Sequence, residues 1–253
     1  MPKLLPLQTK NNILSKIVQG VSINIISKEL GIAKSTIYHH YKKMNGKKIK
    51  PVRFNFTDED LGEFIGIFAG DGNYYYHKKT GHHRISIYTG TYEKKYAKNL
   101  SLFLSTIFSK SPSIFKMKKY NVITTRYNSK DIYLLLKNNL HWTGKKTYTV
   151  QLKDIHSRSI KFLEGFLRGL LDTDGNIYQP RNRVSFGSVS EVLMRQVQYT
   201  LEKWGFRPLF HIFKPRGNRV PFYAVSMNGD RAIKFIKLIK PRNPNKTFHT
   251  VVV

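Results

Sequence analysis

Residues 57–75, TDEDLGEFIGIFAGDGNYY, recur later in the chain as residues 159–178, SIKFLEGFLRGLLDTDGNIY. Gly62, Gly66 and Gly70 match Gly165, Gly169 and Thr173, and the triplet Asp71-Gly72-Asn73 matches Asp174-Gly175-Asn176. In both copies the aspartate stands five positions after the central glycine. A unit that occurs twice predicts two similar structural halves. The glycines need a reason, because each costs roughly 1 kcal/mol in a helix interior relative to alanine. A small residue at every fourth position gives a helix a flat stripe against which another backbone can come very close. The two copies are therefore expected to pack stripe to stripe, Gly62 and Gly66 against Gly165 and Gly169. Ile65, Phe68, Leu167 and Leu171 would fill the core around them.

The echo continues behind each motif. RISIYTG (84–90) parallels RVSFGSV (183–189), and both alternate as strands do. TRYNSKDIYLLLKNN (125–139) parallels AVSMNGDRAIKFIKL (224–238), each a strand, a turn and a helix. KKTYTV (145–150) parallels NKTFHTV (245–251). Each half reads helix, strand pair, helix, strand pair, helix, which is an α+β pattern.

The stripe packing would bring Asp71 and Asp174 together at the ends of two helices. A helix C-terminus already carries partial negative charge, and two adjacent carboxylates repel. A lone Asp-Gly commonly caps a turn, but two of them behind the same helix point to a shared task. Divalent cations relieve both penalties. Mg²⁺ typically takes one or two protein carboxylates and completes its shell with water and phosphate oxygens.

Charge decides what that pair would act on. The formal net charge is +29, from 44 Lys+Arg against 15 Asp+Glu, which calls for a polyanion or an anionic surface. The excess runs through the chain, since residues 1–56 hold 11 Lys or Arg and a single acid. Fifteen Tyr and sixteen Phe interleaved with the basic residues favour nucleic acid over a membrane. There is no cysteine, which excludes disulfides, zinc fingers and cysteine nucleophiles. No apolar run reaches a bilayer span, and MPKLLPLQTKNN makes a poor signal peptide, so an intracellular protein, cytoplasmic or in the nucleoid, is expected.

The first residues read as a separate all-α domain, 1–44. KNNILSKIVQ (10–19) places Ile13, Leu14, Ile17 and Val18 on one helical face, and Gly20 ends the helix. Ser22 is a candidate N-cap for a second helix with Ile23, Ile26 and Leu30 turned inward. After Gly31 a third helix follows, anchored by Ile37 and Tyr41. SKELGIAKSTIYHHYKK resembles the helix-turn-helix of resolvase and transposase DNA-binding domains. Its second helix would offer Lys34, Ser35, Thr36, His39 and His40 to a major groove. Residues 45–56 read as a basic linker, in which NGKKIKPVR (45–53) is a linker or a minor-groove arm.

FIGIFAGDG (64–72) and LRGLLDTDG (167–175) resemble the two copies of the LAGLIDADG motif. The chain is similar to single-chain LAGLIDADG homing endonucleases over residues of about 57 to 253. The resemblance implies an αββαββα fold in each half, 57–153 and 154–253. It also implies a saddle of antiparallel sheet in the major groove of a long, asymmetric double-stranded target. Mg²⁺-dependent cleavage would follow, with Mn²⁺ able to substitute and Ca²⁺ binding without cleavage. The family's acidic ligands fall on Asp71 and Asp174, with Gly70 and Thr173 beside them in the metal site. Lys146 and Lys246, 75 and 72 residues after their aspartates, hold the place of a lysine that organises solvent around the metals. Ala69 replaces the first acid of the motif, whereas Asp172 keeps it. Gly90 and Val189 lie near the place of a glutamine often found there. Candidate DNA contacts are Lys78, Lys79, His82, Arg84, Ser86 and Arg126 in the first half. In the second they are Arg181, Arg183, Ser185, Lys214, Arg216 and Arg219. The resemblance implies intron homing by a monomer. A non-cleaving binder, either an intron maturase on RNA or a transcription regulator, is the competing expectation.

Overall fold

The computed structural model describes residues 5–46, 52–214 and 220–248, and of Lys118 the backbone alone. The chain divides into two compact units, Met1–Pro51 and Val52–Val253.

The first unit holds three helices, α1 (Leu7–Val18), α2 (Ile23–Leu30) and α3 (Lys34–Asn45). The Ser22 hydroxyl accepts from the Ile25 N–H and caps α2, and Gly31 in the left-handed region turns the chain into α3. Ile13, Ile17, Ile26 and Ile37 form the core, with Ile23, Leu30 and Tyr41 packed against it. Val18, expected on the buried face, is 72% exposed. Two short partners cover only a narrow stripe of α1, and the i, i+4 pair Ile13 and Ile17 fills it. Val52 and Phe56 pack on the core of the second unit, and Asn55 donates its N–H to the Ile107 carbonyl at 2.8 Å. Residues 52–56 are thus part of that unit and not linker. Residues 47–51 of the expected linker lie outside the described residues.

The second unit opens with α4 (Asp58–Ala69) behind a capping box, in which the Thr57 hydroxyl and the Asp60 carboxylate exchange bonds with each other's backbone N–H groups. There follow β1 (Gly72–His77), β2 (His82–Gly90), α5 (Lys94–Phe108), β3 (Ser113–Met117), β4 (Val122–Asn128) and α6 (Lys130–Asn139). A connection made of β5 (Leu140–His141), α7 (Lys146–Thr149) and β6 (Gln151–Leu152) leads to the second copy. That copy is α8 (Ile160–Asp174), β7 (Gly175–Tyr178), β8 (Arg183–Ser188), α9 (Glu191–Lys203), β9 (Leu209–Phe213), β10 (Phe222–Met227) and α10 (Asp230–Ile239). The sheets run β1-β2-β4-β3 and β7-β8-β10-β9, antiparallel throughout.

Period-two alternation gives each sheet one buried face. Ile85 and Ile87 in the first, and Val184, Phe186, Val225 and Met227 in the second, join one core with α4 and α8. The opposite faces stay open and carry the polar partners of each strand.

α4 and α8 pack backbone to backbone. A methyl group at Gly62 or Gly66 would overlap the carbonyl oxygens of Phe162 or Phe166, and one at Gly165 or Gly169 those of Glu59 or Glu63. The side chains that flank this seam, Phe64, Ile65, Phe68, Phe166, Leu167 and Leu170, are fully buried or nearly so.

Candidate metal and nucleic-acid site

The seam ends where the two DGN triplets begin. Gly70 leaves no room for a side chain, because a Cβ there would meet the Thr173 side chain, with the Asp174 carboxyl carbon 3.3 Å away. Asp71 follows the last turn of α4, and Asp174 is the final residue of α8. Each aspartate therefore sits at a carbonyl-rich helix end next to the other.

The electrostatics show the strain of that arrangement. The Asp71 carboxyl is pushed up to about 7, first by burial and then by the Asp174 charge, against the opposing pull of Lys146 and Lys246. Glu93 adds a further upward push. Asp174, although its residue surface is exposed, is raised as well by the protein packed around its carboxyl, while both lysines favour its ionised form. Lys146 donates three hydrogen bonds, to the carbonyls of Phe68, Ala69 and Gly70 at 2.7, 2.8 and 2.8 Å. Its ammonium satisfies the C-terminus of α4 and offsets the negative helix end. Burial lowers it to about 8, while Asp174 and Asp71 hold it charged. Lys246 reaches the other motif and donates to the Gly175 carbonyl.

Gly70 and Thr173, expected beside the aspartates, both carry hydrogen bonds. The Gly70 carbonyl accepts from Lys146, and the Thr173 hydroxyl turns back to its own helix, donating to Gly169 and Leu170. The Gly70 carbonyl keeps a second lone pair, and the side-chain oxygens left at the two helix ends are those of the two carboxylates. Among the described residues no group of three or more His, Cys, Asp and Glu could hold an ion alone. A pair of hard oxygens fits Mg²⁺ or a similar cation that draws its other ligands from water and phosphate. It does not fit a zinc site of three or four protein ligands.

The Ala69/Asp172 difference has a structural account. Asp172 accepts from the backbone N–H groups of Arg242 and Asn243, both at 3.0 Å, and its own carbonyl accepts from the Asn243 amide at 3.0 Å. The same amide donates to Glu93 at 2.9 Å. Asp172 thereby anchors the segment that delivers Lys246. In the first half Lys146 bonds the helix end directly, and Ala69 has no equivalent segment to hold.

Sequence reasoning missed a second feature of the seam. Glu63 is fully buried and accepts from Arg168 at 3.0 Å and from Arg242 in bidentate fashion. Arg168 also pairs with Glu59 and donates to the Ile239 carbonyl. The signal was present as single charges inside apolar runs, GEFIG and FLRGLL. Their partner lies 105 residues away in sequence and cannot be paired by spacing.

The open face of the first sheet carries Asn73, Tyr75, His77, His82, Arg84, Tyr88 and Arg126. Ser86 shares that face but is buried, because Arg126 lies over it and donates Nε to its hydroxyl at 3.2 Å. Lys78 and Lys79 are exposed in the β1–β2 turn. The second open face carries Asn176, Tyr178, Arg183 and Ser185, with Arg181 in the preceding turn and Lys214 exposed after β9. Arg216 and Arg219 lie outside the described residues. On α3, Lys34, Ser35 and His39 are exposed and Thr36 is half-buried.

Residues 161–240 match the family model of a LAGLIDADG-like domain. The chain is 26% identical over 197 residues to the uncharacterized protein MJ0398 of Methanocaldococcus jannaschii, covering 76% of this chain and 66% of that one. It is 24% identical over 218 residues to the replication factor C small subunit of the same organism, covering 79% of this chain and 11% of that protein. The chain thus spans less than two thirds of either relative. Among solved structures it is similar to I-DmoI in complex with DNA and Ca, with TM-score 0.54 and 21% identity, over 72% of this chain and 89% of that one. It is also similar to full-length DUF199/WhiA from Thermatoga maritima, with TM-score 0.51 and 17% identity, over 74% and 57% of the two chains. The chain therefore has the α+β fold of the LAGLIDADG homing endonuclease structures, and residues 161–240 form a LAGLIDADG-like domain.

Proposed function

We propose that this protein is a site-specific endonuclease of double-stranded DNA that acts inside the cell as a monomer. It hydrolyses phosphodiesters with a divalent cation held by Asp71 and Asp174, Mg²⁺ in the first place. The observation that carries this reading is the meeting of two motif-ending aspartates at the seam of two open sheets, in a chain of net charge +29. I-DmoI, similar in fold, is described in complex with DNA and Ca and in complex with DNA and Mn, which supports both the substrate and the cation.

In this reading each half lays its open sheet face in the major groove of one half-site. Phosphate contacts from Lys78, Lys79, Arg181 and Lys214 position the duplex, and base contacts specify it. Asp71 and Asp174 would hold the cation, whose charge would favour the ionised form of two carboxyls that burial raises and, at Asp71, the Asp174 charge raises further. Lys146, with its three N–H donors taken by carbonyls, presents its charge beside both aspartates, where that charge attracts a phosphate oxygen. Lys246 adds its charge from the second half. A bound divalent cation would supply Lewis acidity to the scissile phosphate and ready a water for attack. The N-terminal helices add affinity through Lys34, Ser35, Thr36 and His39 as a helix-turn-helix.

The test is cleavage of a plasmid library of sites with Mg²⁺, and binding with Ca²⁺, by the wild type and by Asp71→Asn and Asp174→Asn. Linear product from the wild type, reduced on the order of 10³-fold in each variant with binding retained, supports the reading; removing several kcal/mol of transition-state stabilisation has that size. Tight binding without product, identical in all three proteins, sinks the nuclease. That outcome would leave a non-cleaving binder of DNA or of intron RNA, the second reading, which Gly90 and Val189 in place of the family's glutamine favour.

A further inference from the structure

The two open sheet faces are built on one register and carry different chemistry. Asn73–Ser86 pairs as Asn176–Ser185 does, and Tyr75–Arg84 as Tyr178–Arg183 does. Arg126 pairs with Ser86 where Ser226 pairs with Ser185, so Ser226 replaces Arg126. Further out, Leu209 replaces Ser113, Phe213 replaces Met117, and Phe222 replaces Val122. Gly187 replaces Tyr88, and a Cβ there would collide with the Phe222 ring.

The consequence is two distinct surfaces. On the first sheet Arg126 stacks over Phe115 at 4.5 Å and spends Nε on Ser86, while Arg84 lies 5.3 Å over Tyr75. The stacking and the Nε bond hold the Arg126 plane and leave its terminal nitrogens free to donate. Neither guanidinium has a carboxylate partner among the described residues. On the second sheet Arg183 leans on Ser226, which His211 also engages at 2.9 Å. Beside them Leu209, Phe213 and Phe222 are about half exposed, with no apolar element among the described residues covering them.

We propose that the first sheet reads guanines through Arg84 and Arg126, while the outer strands of the second sheet read thymine methyl groups through Leu209, Phe213 and Phe222. The inference rests on the DNA-binding reading above. Two terminal nitrogens of a guanidinium match guanine O6 and N7, and the thymine C5-methyl is the one apolar group in the major groove. The target half under the first sheet therefore carries guanines, and the half under the outer second sheet carries a thymine run.

The test is selection from randomised duplexes with the full chain in Ca²⁺, followed by methyl deletion. Wild type is expected to select an asymmetric site, guanines on one side and thymines on the other. Arg126→Ala removes preference at a guanine and weakens binding on the order of tenfold or more, which marks the first half-site. Replacing the thymines of the opposite half by deoxyuridine weakens wild-type binding by roughly fourfold per methyl. The double variant Phe213→Ser, Phe222→Ser no longer discriminates thymine from deoxyuridine there. A wild type indifferent to those methyls, or a site with thymines under Arg126, overturns the inference while leaving DNA recognition intact. Selection of no sequence at all overturns the DNA-binding reading itself. The deoxyuridine arm uses the wild type only, so a poorly folding variant leaves the outcome decisive.

Discussion

The ends of α4 and α8 share a backbone and differ in what holds them. At the first, Lys146 bonds three carbonyls of the last turn, and Ala69 packs in the core. At the second, Asp172 reaches out to a segment 70 residues on, and that segment brings Lys246 to Gly175. The same contrast runs along the seam: glycines face each other in both directions, but Glu63 lies on one helix and Arg168 on the other. Duplicated backbone geometry needs duplicated small residues. Charge does not repeat, because a buried charge needs an opposite partner and two identical halves would offer only like charges. The departures from symmetry are what make the two halves specific for each other.

Adding a methyl to the shared part should hurt most. Gly66→Ala and Gly169→Ala each place a carbon on a backbone carbonyl of a rigid partner, and a loss of about 4 kcal/mol or more in denaturant unfolding is expected. Gly31→Ala in the first unit meets no atom and pays only for the left-handed backbone, about 1–2 kcal/mol. Equal losses at the three sites would refute close helix approach as the reason for the stripe.

The asymmetric charges come next. Glu63→Gln leaves Arg168 and Arg242 facing a neutral group, and about 3 kcal/mol should be lost. If the network is a pairing device, Glu63→Met with Arg168→Met and Arg242→Met should regain most of that loss while letting the two halves, expressed as separate chains, pair promiscuously in size-exclusion and crosslinking experiments.

Asp172→Ala should cost about 1–3 kcal/mol by stranding two backbone donors. It should also lower cleavage by loosening Lys246, with cation binding by Asp71 and Asp174 kept. Lys146→Met should do the reverse in kind: cleavage and helix-end satisfaction fall, and the 240–246 segment keeps its protection from hydrogen exchange.

Protons test the same carboxylates. Asp71 and Asp172 titrate at about 7 in the fold against an ordinary 3.8. Between about pH 4 and 7 the native state holds protons that the unfolded chain has released, so the stability of the metal-free protein falls as pH rises through that window. Divalent cation should flatten the part due to Asp71, and Asp71→Asn should remove it. The part due to Asp172 should persist until Asp172→Asn removes it. Urea midpoints measured across the window with and without Mg²⁺ separate the two.

Much of this was legible from spacing. Matching glycines, the repeated DGN triplet and period-two strands led to two similar halves and to the pair of aspartates. Spacing could not show that Arg126 covers Ser86, since that contact runs between strands 40 residues apart. Nor could it pair Glu63 with Arg168 and Arg242, or explain why Asp172 survives where Ala69 does not. Val18 failed for a related reason: helical periodicity marks an apolar face but not how wide a face the partner helices cover.

The sequence by itself determined the repeat, the helix and strand order and the residues that must be small, because local periodicity and steric size are written in consecutive positions. Tertiary structure alone decided which charges meet, which carbonyls Lys146 satisfies, and which chemistry each sheet face presents. Those depend on the register and approach of segments far apart in the chain, where burial sets the cost of an unpaired group.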